Sequence, residues 1–185
     1  MNYLEIFAII FSLISVILTI RKNVFCWITG IISAVLYFFV LIDMHLYGSM
    51  VMHSMFMILC IYGWFNWNKH KQGNEVKIIK LTSLQLYIHL FLALCAWIVS
   101  STLLEVYSDN EFPKTDSFVC IVSLMANFYL SKRIFENWYF WIISDAVFVW
   151  IFLSNEMYPS AFLYCTFLLL ATYGLFSWKK DLKTE

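Results

Sequence analysis

WYFWIISDAVFVWI, residues Trp138–Ile151, decides how this chain is read. The run is continuously apolar and aromatic, with a single carboxylate, Asp145, at its centre. A transmembrane barrel strand would alternate polar and apolar residues, and this run does not, so it reads as part of a membrane helix. Placing Asp at the centre of such a helix costs about 2.5–3.5 kcal/mol, whereas an interhelical polar contact returns only about 0.6 kcal/mol. Structural glue therefore does not offset the cost, and Asp145 reads as functional. At 3.6 residues per turn Trp138, Trp141, Asp145, Phe148 and Phe152 fall on one face. Flat rings flank a negative charge there, an arrangement suited to a flat organic cation.

The rest of the chain agrees with a membrane setting. Of 185 residues 62% are hydrophobic and 13% charged. A soluble domain carries about 25% charged residues. The fold expected is an all-α polytopic membrane protein. Seven spans can be drawn: Tyr3–Ile20, Val24–Ile42, Leu46–Trp67, Leu84–Leu104, Ser117–Leu130, Asn137–Leu153 and Tyr158–Trp178. Each approaches the length of about 20 residues that crosses the hydrocarbon, and the short fifth is expected to begin nearer Lys114. The linkers Asn68–Ser83 and Glu105–Thr115 are too short to fold as domains, so residues 1–185 form one transmembrane domain. The first block lacks a basic leader and a small-residue cleavage site and reads as a membrane helix, not a signal peptide.

With seven spans, eleven Lys and Arg residues fall on one side (Arg21, Lys22, Lys69, Lys71, Lys77, Lys80, Lys132, Arg133, Lys179, Lys180 and Lys183) and only Lys114 on the other. This asymmetry puts the N-terminus outside and the C-terminus in the cytoplasm. The net charge is zero and suggests no nucleic-acid partner. The five cysteines sit singly in apolar blocks with no CxxC spacing, and read as small core residues rather than disulfides or metal ligands.

A shift of 111 residues superposes one part of the chain on another without a gap. Arg21-Lys22 meet Lys132-Arg133, and Ser12-Leu13 meet Ser123-Leu124. Trp27 meets Trp138, Tyr47 meets Tyr158, Ser49 meets Ser160, Tyr62-Gly63 meet Tyr173-Gly174, and Trp67 meets Trp178. The reading is a 3+1+3 plan of parallel repeats, the first at about 1–67 and the second at about 114–178, joined by a connector helix at about 84–104. Transporters built this way hold substrate near the midplane where the repeats meet, at the depth of Asp145.

Other polar positions within spans are candidates for the same site. His53 shares a face with Ser49, Phe56, Met57, Cys60 and Trp64, and Asn127 with Asp116, Cys120 and Ser123. Asp116 also reads as an N-cap of the fifth span, and His89 and Gln85 as interfacial. Trp27, Trp67, Tyr158 and Trp178 read as belt residues at the membrane surface. Gly63 and Gly174 read as positions of close helix approach. Neither a nucleophile–base pair nor a metal set is evident, so an enzyme is not expected and no cofactor is implied. A retinal protein would need a lysine in the last span, and Tyr158–Trp178 contains none. A receptor without transport activity is the remaining distant alternative.

Two segments carry a family resemblance over nearly the whole chain. LYGSMVMHSMFMILCIYGWFNW (Leu46–Trp67) resembles the part of PnuC-type vitamin transporters that ends in YGWxxW, and ENWYFWIISD (Glu136–Asp145) resembles their ENWxxWxxxN segment. The resemblance implies a SWEET-like three-helix unit used twice and a multi-pass protein of the bacterial inner membrane. It also implies a homotrimer that takes up an unphosphorylated B-vitamin by facilitated diffusion, trapped by a cytoplasmic vitamin kinase. The nicotinamide riboside transporters of the family commonly carry Gln at the position of His53 and Asn at those of Cys60 and Asp145. Losing those amides and gaining a charge suits thiamine, as in the thiamine-transporting branch. Asp145 would face the thiazolium, Trp141 and Trp138 would stack on it, and His53 or Asn127 would read the aminopyrimidine, with Phe148 and Cys60 completing the site. Nicotinamide riboside ranks second and neutral riboflavin third.

Overall fold

The computed structural model describes residues 3–43, 47–72, 75–107 and 112–184. The helices are α1 (Tyr3–Ile20), α2 (Cys26–Asp43), α3 (Tyr47–Lys69), α4 (Ser83–Tyr107), α5 (Pro113–Ser131), α6 (Asn137–Ser154) and α7 (Tyr158–Thr184), with two-residue strands β1 (Lys71–Gln72) and β2 (Glu75–Val76) between α3 and α4. Among the described residues α1, α4, α6 and α7 are long and apolar enough to cross a membrane by length and composition. Leu46, expected to begin the third span, lies outside the described residues, as do the side chains of Tyr47 and Ser49. The fifth helix begins at Pro113, because proline lacks an N–H and fits the first helical turn. Its N-cap is Phe112, so the capping role expected of Asp116 is not used; Asp116 lies in the first turn instead.

Three helices end in the same way. Lys22, Arg133 and Glu156 have φ of 54°, 63° and 57°. At each, the residue itself donates to the carbonyl three back (Thr19, Leu130, Leu153), and the next residue donates to the carbonyl five before it (Leu18, Tyr129, Phe152), at 2.8–3.2 Å. This is the Schellman closure, usually made by glycine. Lys22 and Arg133 stand 111 residues apart. The turn from α1 to α2 is thus repeated, bond for bond, in the turn from α5 to α6.

The helices close into a ring. The main neighbours are α1 with α2, α2 with α3, α3 with α5, α5 with α6, α6 with α7, and α7 with α1, while α4 lies against α5. Three long-range hydrogen bonds span the seams: Asn66 Nδ2 donates to the Ser131 carbonyl (2.8 Å), Trp67 Nε1 to the Leu130 carbonyl (2.9 Å) and Trp178 Nε1 to the Ile20 carbonyl (3.1 Å). The C-terminal ends of α1, α3, α5 and α7 therefore meet at one end of the ring. Arg21, Lys22, Lys69, Lys132, Arg133, Lys179 and Lys180 lie at this end, and Lys114 lies at the other, paired with Glu105 (3.3 Å). Most of α4 faces outward, with Tyr87, Phe91, Leu92 and Val99 exposed. Apolar exposure on this scale is what a lipid-facing helix presents. Its inward contacts include Trp97 Nε1 donating to the Lys114 carbonyl (2.9 Å) and His89 Nδ1 against the Tyr129 hydroxyl (2.9 Å). His89, expected at the interface, is therefore a packing residue between α4 and α5.

The segment between α3 and α4 does more than connect. Ile79 forms a bridge with Ile134, with bonds of 3.0 and 2.8 Å to Arg133 and Phe135. Arg133 Nη1 donates to the Lys77 carbonyl (3.2 Å). Val76 and Ile78 are buried in the same cluster as the tryptophans at the basic end.

That cluster corrects a reading of the sequence. Trp27, Trp67 and Trp178 are not belt residues; they are 2%, 0% and 0% exposed. Trp27 meets Trp67 edge-on at 5.4 Å and 88°, and Trp138 meets Trp178 at 5.3 Å and 87°. Trp67 and Trp178 then face one another at 6.3 Å. Gly63 and Gly174 admit not a neighbouring backbone but the rings of Trp27 and Trp138. Burial wins over the belt preference because these rings face the ring interior, where six helices can cover them. Tyr158 does remain exposed.

Candidate functional site

Above the tryptophans, Asp145 is 5% exposed on α6, one turn from Trp141 and from Phe148. Among the described residues no cation pairs with it. Trp141 lies near-parallel to Phe56 of α3 (6.4 Å, 23°). From Phe56 the rings continue to His53 (6.2 Å, 77°) and then to Tyr37 of α2 (5.8 Å). On the other flank, Phe148 stacks on Phe152 (5.9 Å, 14°) and both meet Tyr164 of α7, at 4.4 and 5.2 Å. Tyr164 continues to Phe167 (5.8 Å, 76°).

These two aromatic walls correspond under the 111-residue shift. Tyr37, His53 and Phe56 occupy the positions of Phe148, Tyr164 and Phe167. The edge-on His53–Phe56 contact matches the edge-on Tyr164–Phe167 contact. The difference between the halves lies on the helices α2 and α6: Asp145 corresponds to buried Ala34, and Trp141 to Gly30. One half thus carries a carboxyl and a broad ring where the other has almost no side chain. The two walls are asymmetric in this respect, an arrangement that suits a ligand with a cationic ring at one end.

Asn127 of α5 is buried and lies beside the Cys60 thiol of α3, across a seam between two helices. Beside it, Ser123 Oγ and Ser144 Oγ share a buried hydrogen bond of 2.6 Å between α5 and α6. Ser144→Ala is expected to lower stability by about 1 kcal/mol, the worth of one such bond, with binding unaffected. Thermal unfolding and a vitamin titration of the same sample check this.

Contacts thus connect Trp141 to His53 through Phe56, set Phe148 against Tyr164, and place Asn127 beside Cys60. Trp138 is not with them. It lies two turns from Asp145 along α6, about 10 Å away, with its ring 2% exposed against Gly174 and Trp178. Residues on one helical face point in one direction but lie at different depths, and depth separates Trp138 from the carboxylate. Tyr37, Phe56 and Tyr164 were not singled out by sequence reasoning. The internal repeat carried the signal, since it pairs His53 with Tyr164 and Tyr37 with Phe148. Among the described residues there is no group of three His, Cys, Asp or Glu residues able to hold a metal.

Comparison with known proteins adds the following. The family model described as "Nicotinamide mononucleotide transporter" matches residues 2–180. The chain is 23% identical to the nicotinamide riboside transporter PnuC of Escherichia coli, over 96% of this chain and 85% of that one. It is 22% identical to the riboflavin/roseoflavin transporter RibM of Streptomyces davaonensis, over 91% of this chain and 81% of that one. Among solved structures, the crystal structure of the vitamin B3 transporter PnuC matches with a TM-score of 0.83 at 22% identity, covering 98% of this chain and 83% of that one. The likeness establishes a shared helical fold.

Proposed function

We propose, on the premise that this chain belongs to the nicotinamide mononucleotide transporter family, that it carries nicotinamide riboside across the membrane. The chain is a multi-pass membrane protein of a vitamin-transporter family. The observation that supports this substrate is Asp145: a buried carboxylate that no cation pairs with among the described residues, flanked on its helix by Trp141 and Phe148 of the two aromatic walls. Nicotinamide riboside offers a flat pyridinium to fill that gap. A phosphate on the substrate would be repelled by the same carboxylate, which favours the riboside over the mononucleotide. Riboflavin is neutral and gains nothing from Asp145.

The sequence alone ranks thiamine first. Relatives named for nicotinamide riboside move that vitamin ahead, because thiamine and the riboside are both cations and Asp145 does not separate them. Thiamine stays as the second reading on what the family resemblance implies: His53, Cys60 and Asp145 stand where its nicotinamide riboside transporters commonly carry amides that suit a carboxamide and a ribose.

In this reading residues 1–67 and 114–178 are two three-helix units of SWEET-like kind, with residues 84–104 as their connector. They rock about the Asp145 chamber to expose it to each side in turn. The basic end faces the cytoplasm of a bacterial inner membrane, as the lysine and arginine asymmetry favours. Uptake is facilitated diffusion by a homotrimer, followed by phosphorylation of the vitamin by a cytoplasmic kinase. Titrating the purified protein with nicotinamide riboside and with thiamine while following tryptophan fluorescence tests the reading, since Trp141 lines the chamber. Saturable quenching by the riboside at lower concentration than by thiamine is expected. The reverse order returns thiamine to first place, and no saturable response to either overturns the cationic-vitamin reading.

A further inference from the structure

A layer of buried tryptophans lies between Asp145 and the basic end of the ring. Trp27, Trp67, Trp178 and Trp138 form a continuous chain of rings across it, and the cluster around them draws buried side chains from α1, α2, α3, α5, α6 and α7 and from the segment at Val76 and Ile78. A vitamin leaving the chamber toward that end has to pass this layer.

The hydrogen bonds of the four tryptophans divide unevenly. Trp67 and Trp178, one on each side of the central contact, each donate Nε1 to a carbonyl at the end of a helix across a seam. Trp67 belongs to the first stretch of the internal repeat and reaches α5 in the second; Trp178 belongs to the second and reaches α1 in the first. The two bonds are reciprocal. By contrast, the Nε1 atoms of Trp27 and Trp138 are buried with no hydrogen-bond partner among the described residues. These two also correspond in the repeat. The layer thus contains two bonds that oppose separation of the halves, and two buried donors that gain a partner once water enters.

We infer that this four-tryptophan layer is the inner gate of the transporter, latched by Trp67 and Trp178 and poised to open by the unpaired indoles of Trp27 and Trp138. The inference rests on the transporter reading but not on which vitamin is carried. Closed, the layer is dry and packed; open, both cross-seam bonds break together, because the two halves move as units. Water then reaches the indoles of Trp27 and Trp138 and the neighbouring thiol of Cys26, which is 2% exposed in the closed state.

Cys26 supplies the readout without added labels. The full-length protein in detergent or nanodiscs is treated with a water-soluble maleimide, and labelling at each cysteine is followed by mass spectrometry. Cys95, mid-way along the lipid-facing α4, is covered by detergent or lipid while the fold holds and serves as the reference for it. Trp67→Phe and Trp178→Phe keep an aromatic ring and remove one latch donor each. Losing one hydrogen bond shifts such an equilibrium by about fivefold, so Cys26 is expected to label about fivefold faster in each variant, with Cys95 unchanged. Labelling of Cys26 at the wild-type rate in both variants overturns the gate. So does a parallel acceleration at every cysteine, which is loss of fold rather than opening. The two variants sit on opposite seams, so a failure to fold in one leaves the other to decide. The assay needs no vitamin: if the vitamin titration fails while Cys26 behaves as described, the gate stands and the substrate reading falls.

Discussion

Replacing Asp145 with Asn is expected to raise the dissociation constant for nicotinamide riboside by about 30-fold or more while leaving the protein folded. The magnitude follows from the setting. Removing one partner of a buried, desolvated charge pair costs about 2–5 kcal/mol, and the lower bound is already about 30-fold in affinity. Asn keeps the shape of the side chain and removes only the charge. Folding is expected not to depend on a charge there, because among the described residues no cation pairs with buried Asp145. The other half of the repeat makes the same point, since Ala34 occupies the corresponding place and is also buried. Calorimetric titration of wild type and variant, with thermal unfolding alongside, checks both parts. An unchanged dissociation constant in a folded Asp145→Asn protein would remove the counter-ion role. Riboflavin, which carries no charge, serves as the comparison ligand whose interaction should not depend on the substitution.

The second large effect is on stability, and it comes from the two glycines that receive tryptophan rings. A Cβ at Gly63 would lie 2.5 Å from the Trp27 ring, and one at Gly174 would lie 2.5 Å from the Trp138 ring. No real Cβ contact is that short, so either the ring or the helix has to move. Trp27 and Trp138 cannot move easily, because each is held edge-on against the next tryptophan. Overpacking of this kind costs about 1–3 kcal/mol. Gly63→Ala and Gly174→Ala are therefore each expected to lower the unfolding temperature by several degrees. Gly30→Ala is the control: its Cβ would meet Ser15 Oγ at 3.3 Å and Cys60 Sγ at 3.5 Å, which small adjustments relieve. Equal unfolding temperatures for all three variants would show that the tryptophan layer is looser than the ring packing implies.

Much of the architecture was legible in the chain itself, because a membrane simplifies the code. Hydrocarbon cannot satisfy backbone polar groups, so apolar runs of sufficient length have to be helices, and their limits show as charges and prolines. The expected spans agree with the observed helices to within a few residues, the largest difference being α7, which runs on from Trp178 to Thr184, and Pro113 sets the earlier start of α5. The 111-residue register was also visible, and it survives in three dimensions as the paired turns at Lys22 and Arg133 and the paired Trp–Trp contacts. A buried carboxylate announces itself by its cost, so Asp145 could be picked out from a single sequence.

What the sequence by itself determined is therefore the helical membrane fold, the internal register and the one charged residue inside it. Only the tertiary structure decided which aromatic residues belong to the ligand chamber and which to the layer that closes it. Helical periodicity reports the direction of a side chain but neither its depth nor what lies opposite. That is why Trp138 appeared beside Asp145 in the helical face but lies against Trp178 in the fold, and why Trp27, Trp67 and Trp178 resembled surface belt residues until six helices closed around them. Tyr37, Phe56 and Tyr164 entered the chamber for the same reason: their partners come from other helices, and only packing brings those helices together.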